Sequence, residues 1–414
     1  MSLAGSWPVA RSSSADRRDR LNRPDRAEHG WLALPAVVAL LCGIGLMMVL
    51  SASSVQALRA YGGPWVFFLR QVMWVGAGAV GLAVVARVDY RRWRALAVPL
   101  TASSFVLLVA VLIPSVGVEA GGASRWLGFG PLRFQPSELA KLAVLLFAAA
   151  VLADRTSRRG RDAVVVRPVL VVTCPALLLV LLQPDMGTAM VALVVVLTVL
   201  FVGGVPLSRM ALLGLVTAVG SVIVGLAESY RRARIFAFLN PWEDPTNTGY
   251  QIAQSLVALG SGHFTGVGLG ASRAKWGFLP NAHTDFIFAI IGEELGLLGT
   301  IPVVVLFGAF GVFGVRAALR APDRFGMLLA AGVTVWVVAQ AIVNIGAVIG
   351  ILPVTGVPLP FVSFGGSSLL ITMVAVGMLA NVARQGAAVD GERRRRGRAA
   401  RAGRPAPARS PVRV

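Results

Sequence analysis

Between Leu279 and Gly296 the chain reads "LPNAHTDFIFAIIGEELG", a histidine and three carboxylates set into a run apolar enough to enter a membrane. An acid at mid-bilayer costs about 2.5–3.5 kcal/mol even on the lenient insertion scale, so each needs a reason to be there. Asp285 stands at the entry of the run. There it could cap a helix N-terminus, or it could face water and act as a general base. Glu293 and Glu294 follow about 12–14 Å deeper, at 1.5 Å per helical residue. At about 100° per residue, Glu293 lies roughly 80° and Glu294 roughly 180° around the helix from Asp285. A regular helix cannot aim all three at one small site. The expectation is therefore a division: Asp285 for chemistry at the mouth, the deeper pair for partners inside the protein.

Other clusters could join that chemistry. In "RWLGFGPLRFQPSELAK" (125–141) Pro136 and Ser137 suit a helix start, and Glu138 and Lys141, three apart, share a face. They serve equally as an ion pair or as site groups. Arg125 and Trp126 precede them, the tryptophan at a depth where membrane aromatics are ordinary. Arg231, Arg232 and Arg234 stand in a second long loop, where either a phosphate-bearing ligand or lipid headgroups would justify them. Lys275 and His283 close the same loop. In "SFGGSS" (363–368) the backbone around Ser363, Gly365, Gly366 and Ser367 could bind an anion, or the small residues could allow tight helix packing. The glycines of "GVGLG" (266–270) lack the preceding strand of a nucleotide fingerprint and read as tight turns.

The elements that position these residues are membrane spans. Of 414 residues 56% are hydrophobic and 14% charged, against about a quarter charged in a soluble domain. Apolar runs lie near 31–51, 66–86, 93–114, 136–153, 165–182, 186–204, 208–227, 285–315, 325–349 and 362–383, each long enough for a bilayer core of about 30 Å. The reading is an all-α polytopic membrane protein of about ten transmembrane helices. The formal charge of +20 is almost all arginine, placed in the tails and in short loops such as "RVDYRRWR". That placement follows the positive-inside rule and argues against a nucleic-acid partner. It puts both termini in the cytoplasm and two long loops outside, about 115–135 and about 228–284, the larger between spans seven and eight. Residues 1–30 and 386–414 read as disordered basic tails flanking a membrane domain over 31–385. "TGYQIAQSLVALGSG" within the larger loop has helical spacing and suits an interfacial or re-entrant helix. Cys42 and Cys174 form neither a disulfide framework nor a metal site.

Together, "RWLGFGPLRFQPSELAK", "QPDMGT" (183–188), "LPNAHTDFIFAIIGEELG" and "TGVPLPFVSFGGSS" resemble the SEDS family of shape, elongation, division and sporulation proteins, over about 31–385. The stretch from Ala282 resembles the division branch more than the elongation branch. The resemblance implies a peptidoglycan glycosyltransferase that polymerises lipid II at the outer face of the plasma membrane, at the septum. It also implies work with a class B penicillin-binding protein and other division proteins. Asp285 matches the family's essential aspartate, and Arg125, Trp126, Glu138 and Lys141 match motif positions. Two departures stand out: Asn281 where the family often has Glu, and Phe364 where it often has Tyr. In this reading Asp285 deprotonates the acceptor hydroxyl, helped by partial burial that would raise its pKa. Undecaprenyl diphosphate leaves as an anion stabilised by Arg125, Lys141, Arg231, Arg232, Arg234 or Lys275. A divalent cation, Mg or Mn, could bridge the diphosphate; no other cofactor is called for. The rival readings are a lipid II flippase, for which Glu293 and Glu294 would line a pathway, an elongation-type enzyme, and a non-catalytic scaffold.

Overall fold

A computed structural model describes residues 30–402 apart from 121–122, 130–131, 156–161, 216–219, 221–237 and 239. The apolar runs become helices because a backbone without water must satisfy its own hydrogen bonds. They are α1 (Ala33–Tyr61), α2 (Val66–Arg87), α3 (Ala97–Ala110), α4 (Pro136–Arg155), α5 (Asp162–Leu182), α6 (Met186–Val202), α7 (Tyr250–Gly262), α8 (Ile287–Leu319), α9 (Arg324–Val348) and α10 (Gly366–Ala402). Six are long and apolar enough to cross a membrane, and α3, α5 and α6 are shorter apolar helices. A further helical stretch covers 207–215; the rest of the expected seventh span lies outside the described residues. The chain is thus a polytopic, largely helical membrane protein. The last helix runs to Ala402, past the boundary at 385 expected from composition.

Burial separates the helices into two classes. The most apolar windows of α4, α9 and α10 are 78%, 72% and 78% buried, whereas α2 and α8 show 17% and 28% and turn Leu69, Val80, Leu298 and Val305 outward. Exposed apolar faces on such helices are lipid-facing. Along its other side α2 packs on α10, α8 on α9, and α3 on α4.

One expectation needs correction. The loop near 115–135 carries a three-stranded antiparallel sheet of β1 (Gly117–Ala120), β2 (Ala123–Phe129) and β3 (Leu132–Phe134), so the largely helical fold is not purely α. Val118 faces Trp126, and Leu127 faces both Gly117 and Phe134. The strands are separated by Gly121-Gly122 and Gly130-Pro131, turn-forming pairs that are a readable hairpin signal.

The deepest departure from regular helix lies in α8. Gly296 has φ 61° and ψ −152°, so the helix is broken just after the two glutamates. The break frees the carbonyls of Glu293 and Glu294 and the amides of Leu297 and Leu298. All four are satisfied by the loop after α7: Val267 N donates to Glu293 O (2.9 Å), Gly268 N to Glu294 O (3.0 Å), Leu297 N to His263 O (3.2 Å) and Leu298 N to Phe264 O (3.2 Å). A side chain at Gly296 or Gly266 would strike the backbone of the other strand of this crossing. Of the glycines of "GVGLG", Gly266 therefore serves close backbone approach, while Gly268 (φ 106°) and Gly270 (φ 79°) stand in open space and serve the left-handed turns. The expected helix in the long loop is present as α7, which packs on α8.

Candidate functional site

Segment 353–361, between α9 and α10, is the frame of the site. Pro353, Pro358 and Pro360 prevent helix there, so its backbone groups need partners from elsewhere. An i, i+4 pair on α9 supplies them: Asn344 Nδ2 donates to Val357 O (2.8 Å) and Gln340 Nε2 to Pro358 O (3.0 Å). Ser363 Oγ accepts from Leu359 N (2.8 Å). Two polar residues in an otherwise apolar buried helix are thereby explained.

Asp285 lies against this frame. It precedes the N-cap residue of α8, Phe286, and so stands outside the first helical turn. The three consecutive carbonyls around it are all held. Phe364 N donates to His283 O (3.0 Å), Ser363 Oγ to Thr284 O (2.6 Å) and Asn344 Nδ2 to Asp285 O (2.7 Å). The residue is half-buried, and with Phe286, Asn344, Thr355 and Gly356 it lines a small pocket, about the size of one water, that opens to solvent. Gly356, at φ 71°, adopts the left-handed backbone that glycine favours and lies beside Asp285: a Cβ there would be in ordinary contact with Oδ2, at 3.7 Å.

His283 does not face the mouth. Its ring is buried between Phe67 of α2 (centroids 4.9 Å apart) and Phe364 (5.7 Å), with Nδ1 lacking a partner. Burial lowers its pKa from 6.5 to about 4, so the imidazole is neutral at pH 7.

A second network adjoins the first. Asp185, in "QPDMGT", is buried and accepts from Gln135 Nε2 (2.9 Å), Ser137 Oγ (3.1 Å) and, as the cap of α6, Thr188 N (3.1 Å). Arg125 on β2 donates through Nε to Gln183 O (3.1 Å) and through Nη2 to Pro184 O (2.5 Å), while Gln135 N donates to Ser367 Oγ (3.2 Å). Gly187 brings α6 against the backbone of Thr355 and the side chain of Val357. The start of α6 and the Asp285 segment thus meet around residues 355–357, and the sheet joins them through Arg125 at residues 183–184. Trp126 is half-buried on β2, and Gly366 starts α10 against the Trp74 indole. Ser363 and Gly365 also line a second small pocket with Ser368 and Thr372.

The two lysines lie elsewhere. Lys141 is buried beside Glu138 (2.9 Å), over the Trp336 ring (4.9 Å), and donates to Gln340 Oε1 (3.0 Å). Neither Lys141 nor Glu138 lines the Asp285 pocket. Lys275 donates to Glu294 Oε1 (3.2 Å), Gly270 O (2.5 Å) and Ser51 Oγ (3.3 Å), which uses all three of its N–H groups. Both positive charges are therefore engaged inside the protein rather than offered to a ligand. Arg231, Arg232 and Arg234 lie outside the described residues. Among the described residues no three His, Cys, Asp or Glu side chains converge to hold a metal ion.

Fold and site together define a membrane protein with a framed carboxylate at one end of its helix bundle. The family model described as cell cycle protein, of the FtsW, RodA and SpoVE type, matches residues 32–387, and the chain belongs to that family. It is 45% identical over 359 residues to the probable peptidoglycan glycosyltransferase FtsW of Thioalkalivibrio sulfidiphilus, covering 86% of this chain and 89% of that one. It is 42% identical over 358 residues to stage V sporulation protein E of Bacillus subtilis, covering 85% and 96%. Among solved structures, a chain of a peptidoglycan synthase complex that couples polymerization and crosslinking superposes with TM-score 0.69 at 32% identity, covering 85% of this chain and 97% of that one. The rod shape determining protein RodA of Thermus thermophilus gives 0.63 at 31% identity, covering 85% and 96%.

Proposed function

We propose that the chain polymerises lipid II into glycan strands at the outer face of the plasma membrane during cell division, with Asp285 as general base. That it is a peptidoglycan glycosyltransferase follows from its relatives, several of which carry that name. The observation that carries the mechanism is the Asp285 segment: three consecutive carbonyls held, the residue half-buried, and a pocket beside it. A carboxylate so placed takes the proton of an acceptor sugar hydroxyl as that oxygen attacks the anomeric carbon of the donor. The bond to the lipid diphosphate breaks, and undecaprenyl diphosphate leaves with inverted stereochemistry at the sugar. The leaving anion needs positive charge. Arg125 is the described candidate, since its Nη1 makes no hydrogen bond among the described residues; Arg231, Arg232 and Arg234 remain proposals for the same task. The ten-span topology with both termini in the cytoplasm belongs to this reading, as do septal localisation and a class B penicillin-binding partner. A solved relative's place in a synthase complex supports that partner.

The flippase reading drew on Glu293 and Glu294 as intramembrane acids. Both are engaged in fixed internal bonds, Glu293 with Arg273 N (2.9 Å) and Glu294 with Lys275 Nζ (3.2 Å), which leaves that reading without its support. The decisive experiment is incubation of the purified chain with lipid II in detergent, with its partner synthase present. Glycan polymer is expected from wild type and none above background from Asp285→Ala; polymer from a folded Asp285→Ala would overturn the assignment.

A further inference from the structure

Asn344 stands out in α9 because its amide makes two bonds that belong to different parts of the site. Both acceptors, Asp285 O at 2.7 Å and Val357 O at 2.8 Å, are carbonyls and can only accept, so the nitrogen must face them. The other end of the amide, Oδ1, is buried with no partner among the described residues, and the residue is 2% exposed. An amide placed for general polar satisfaction would use both ends. This one uses its donors alone, as a staple between the Asp285 segment and the segment of Thr355 and Gly356 that forms the opposite pocket wall.

We propose that Asn344 is a positioning residue for glycosyl transfer, acting through Asp285 by fixing the carboxylate's distance from Gly356 and from the pocket. This rests on the assignment of Asp285 as general base. The other two carbonyl bonds, to His283 O and Thr284 O, come from residues 363–364. Among the described residues Asn344 alone donates to the reacting residue's own carbonyl, and it does so from a largely buried helix. Small displacements of a base from its proton lower the turnover rate steeply, while substrate contacts made elsewhere are kept. The signature is therefore a fall in kcat with KM retained. A purely structural role would lower the midpoint of thermal unfolding and leave the turnover of folded molecules alone.

The neighbouring Gln340, one turn away on the same face, provides the comparison. It holds Pro358 O but makes no bond to the Asp285 segment. In the lipid II polymerisation assay, Asn344→Ala and the isosteric Asn344→Asp, which replaces both donors by an acceptor, are expected to lower kcat at least tenfold with KM within about twofold, per folded molecule. Gln340→Met is expected to lower the thermal midpoint and to reduce kcat less than either Asn344 variant does. The isosteric variant guards against collapse of the alanine cavity. Asn344→Ala and Asn344→Asp proteins that are folded and turn over at the wild-type rate would overturn the proposal, as would a loss confined to KM. Asp285→Ala run in parallel separates the two ideas. If it still polymerises, the general-base assignment fails. If it is inactive while both Asn344 variants are normal, only the positioning role fails.

Discussion

The one stretch from Leu279 to Gly296 contains two acidic regions that are held in opposite ways. At the mouth, the backbone around Asp285 is fixed through its carbonyls, and the residue lines a pocket. Deeper, the carboxylates themselves are the fixed parts. Glu294 accepts from Ser51 Oγ (2.7 Å), Ser272 N (3.3 Å) and Lys275 Nζ (3.2 Å); Glu293 accepts from Ser272 Oγ, Arg273 N (2.9 Å) and Ala274 N (3.3 Å). The difference separates function from structure more cleanly than depth or charge does. Asp285 is placed by bonds to the carbonyls of its segment, beside the pocket; Glu293 and Glu294 are placed by bonds to their own carboxylates and serve as joints.

The largest expected effect breaks the mouth alone. Asp285→Asn keeps the volume and every carbonyl bond but removes the base. Polymerisation should fall on the order of 10²–10⁴-fold, the typical contribution of general-base catalysis. The thermal midpoint in detergent should move by no more than about 2 °C. A midpoint falling together with activity would place Asp285 among the joints.

Glu294→Ala breaks the joint instead. It leaves the Lys275 charge buried (8% exposed) and unpaired, which costs about 3–5 kcal/mol. Thermal unfolding should register that loss, while molecules that remain folded keep most of their turnover. Replacing both partners together, as Glu294→Leu with Lys275→Met, should recover most of the stability, because an apolar pair removes the desolvation penalty.

His283 sharpens the contrast through pH. Its pKa is lowered from 6.5 to about 4 by burial between Phe67 and Phe364. The unfolded chain therefore binds a proton that the folded chain refuses between those values. Stability contributed by the neutral ring is present above pH 6.5 and is lost as pH falls toward 4, by up to about 3 kcal/mol at 1.36 kcal/mol per unit. The midpoint of His283→Asn should fall less steeply over pH 6.5 to 4 than that of wild type. Equal slopes would mean that the aromatic cage does not exclude the charge.

What could be read from sequence divides along the same line. Hydropathy located the helices because burial from water acts on each run locally. Asp285 was placed on α8 by helix angle, whereas it precedes the N-cap, but the assignment of Glu293 and Glu294 to internal partners is borne out by the bonds to residues 272–275. Lys275 was misjudged as a ligand cation because its partner Glu294 is close only in the folded bundle. Asn344 and Gln340 were passed over, although polar residues at i, i+4 in an apolar helix are a visible signal that irregular backbone needs satisfying nearby. Asp185 was quoted within a motif without a role; nothing local to "QPDMGT" shows that Gln135 and Ser137 will reach it. The sheet was missed although its turn pairs were on view.

The smallest effect concerns Glu293, and it tests whether the joint is made by charge or by acceptor geometry. Unlike Glu294, Glu293 has no cation within ion-pair distance among the described residues; its three donors are two backbone amides and a hydroxyl. Glu293→Gln keeps one acceptor oxygen and points an NH₂ group at the remaining donors. The expected loss is about 1–3 kcal/mol, the penalty for buried donors left without an acceptor. Activity per folded molecule should be unchanged. Glu294→Gln gives the matching measurement. It removes the charge opposite Lys275 while keeping the shape, and should cost more than Glu293→Gln. Equal losses would show that the Lys275–Glu294 pair adds nothing beyond its hydrogen bonds, and that the deeper region, like the mouth, is held by hydrogen bonds rather than by opposite charges.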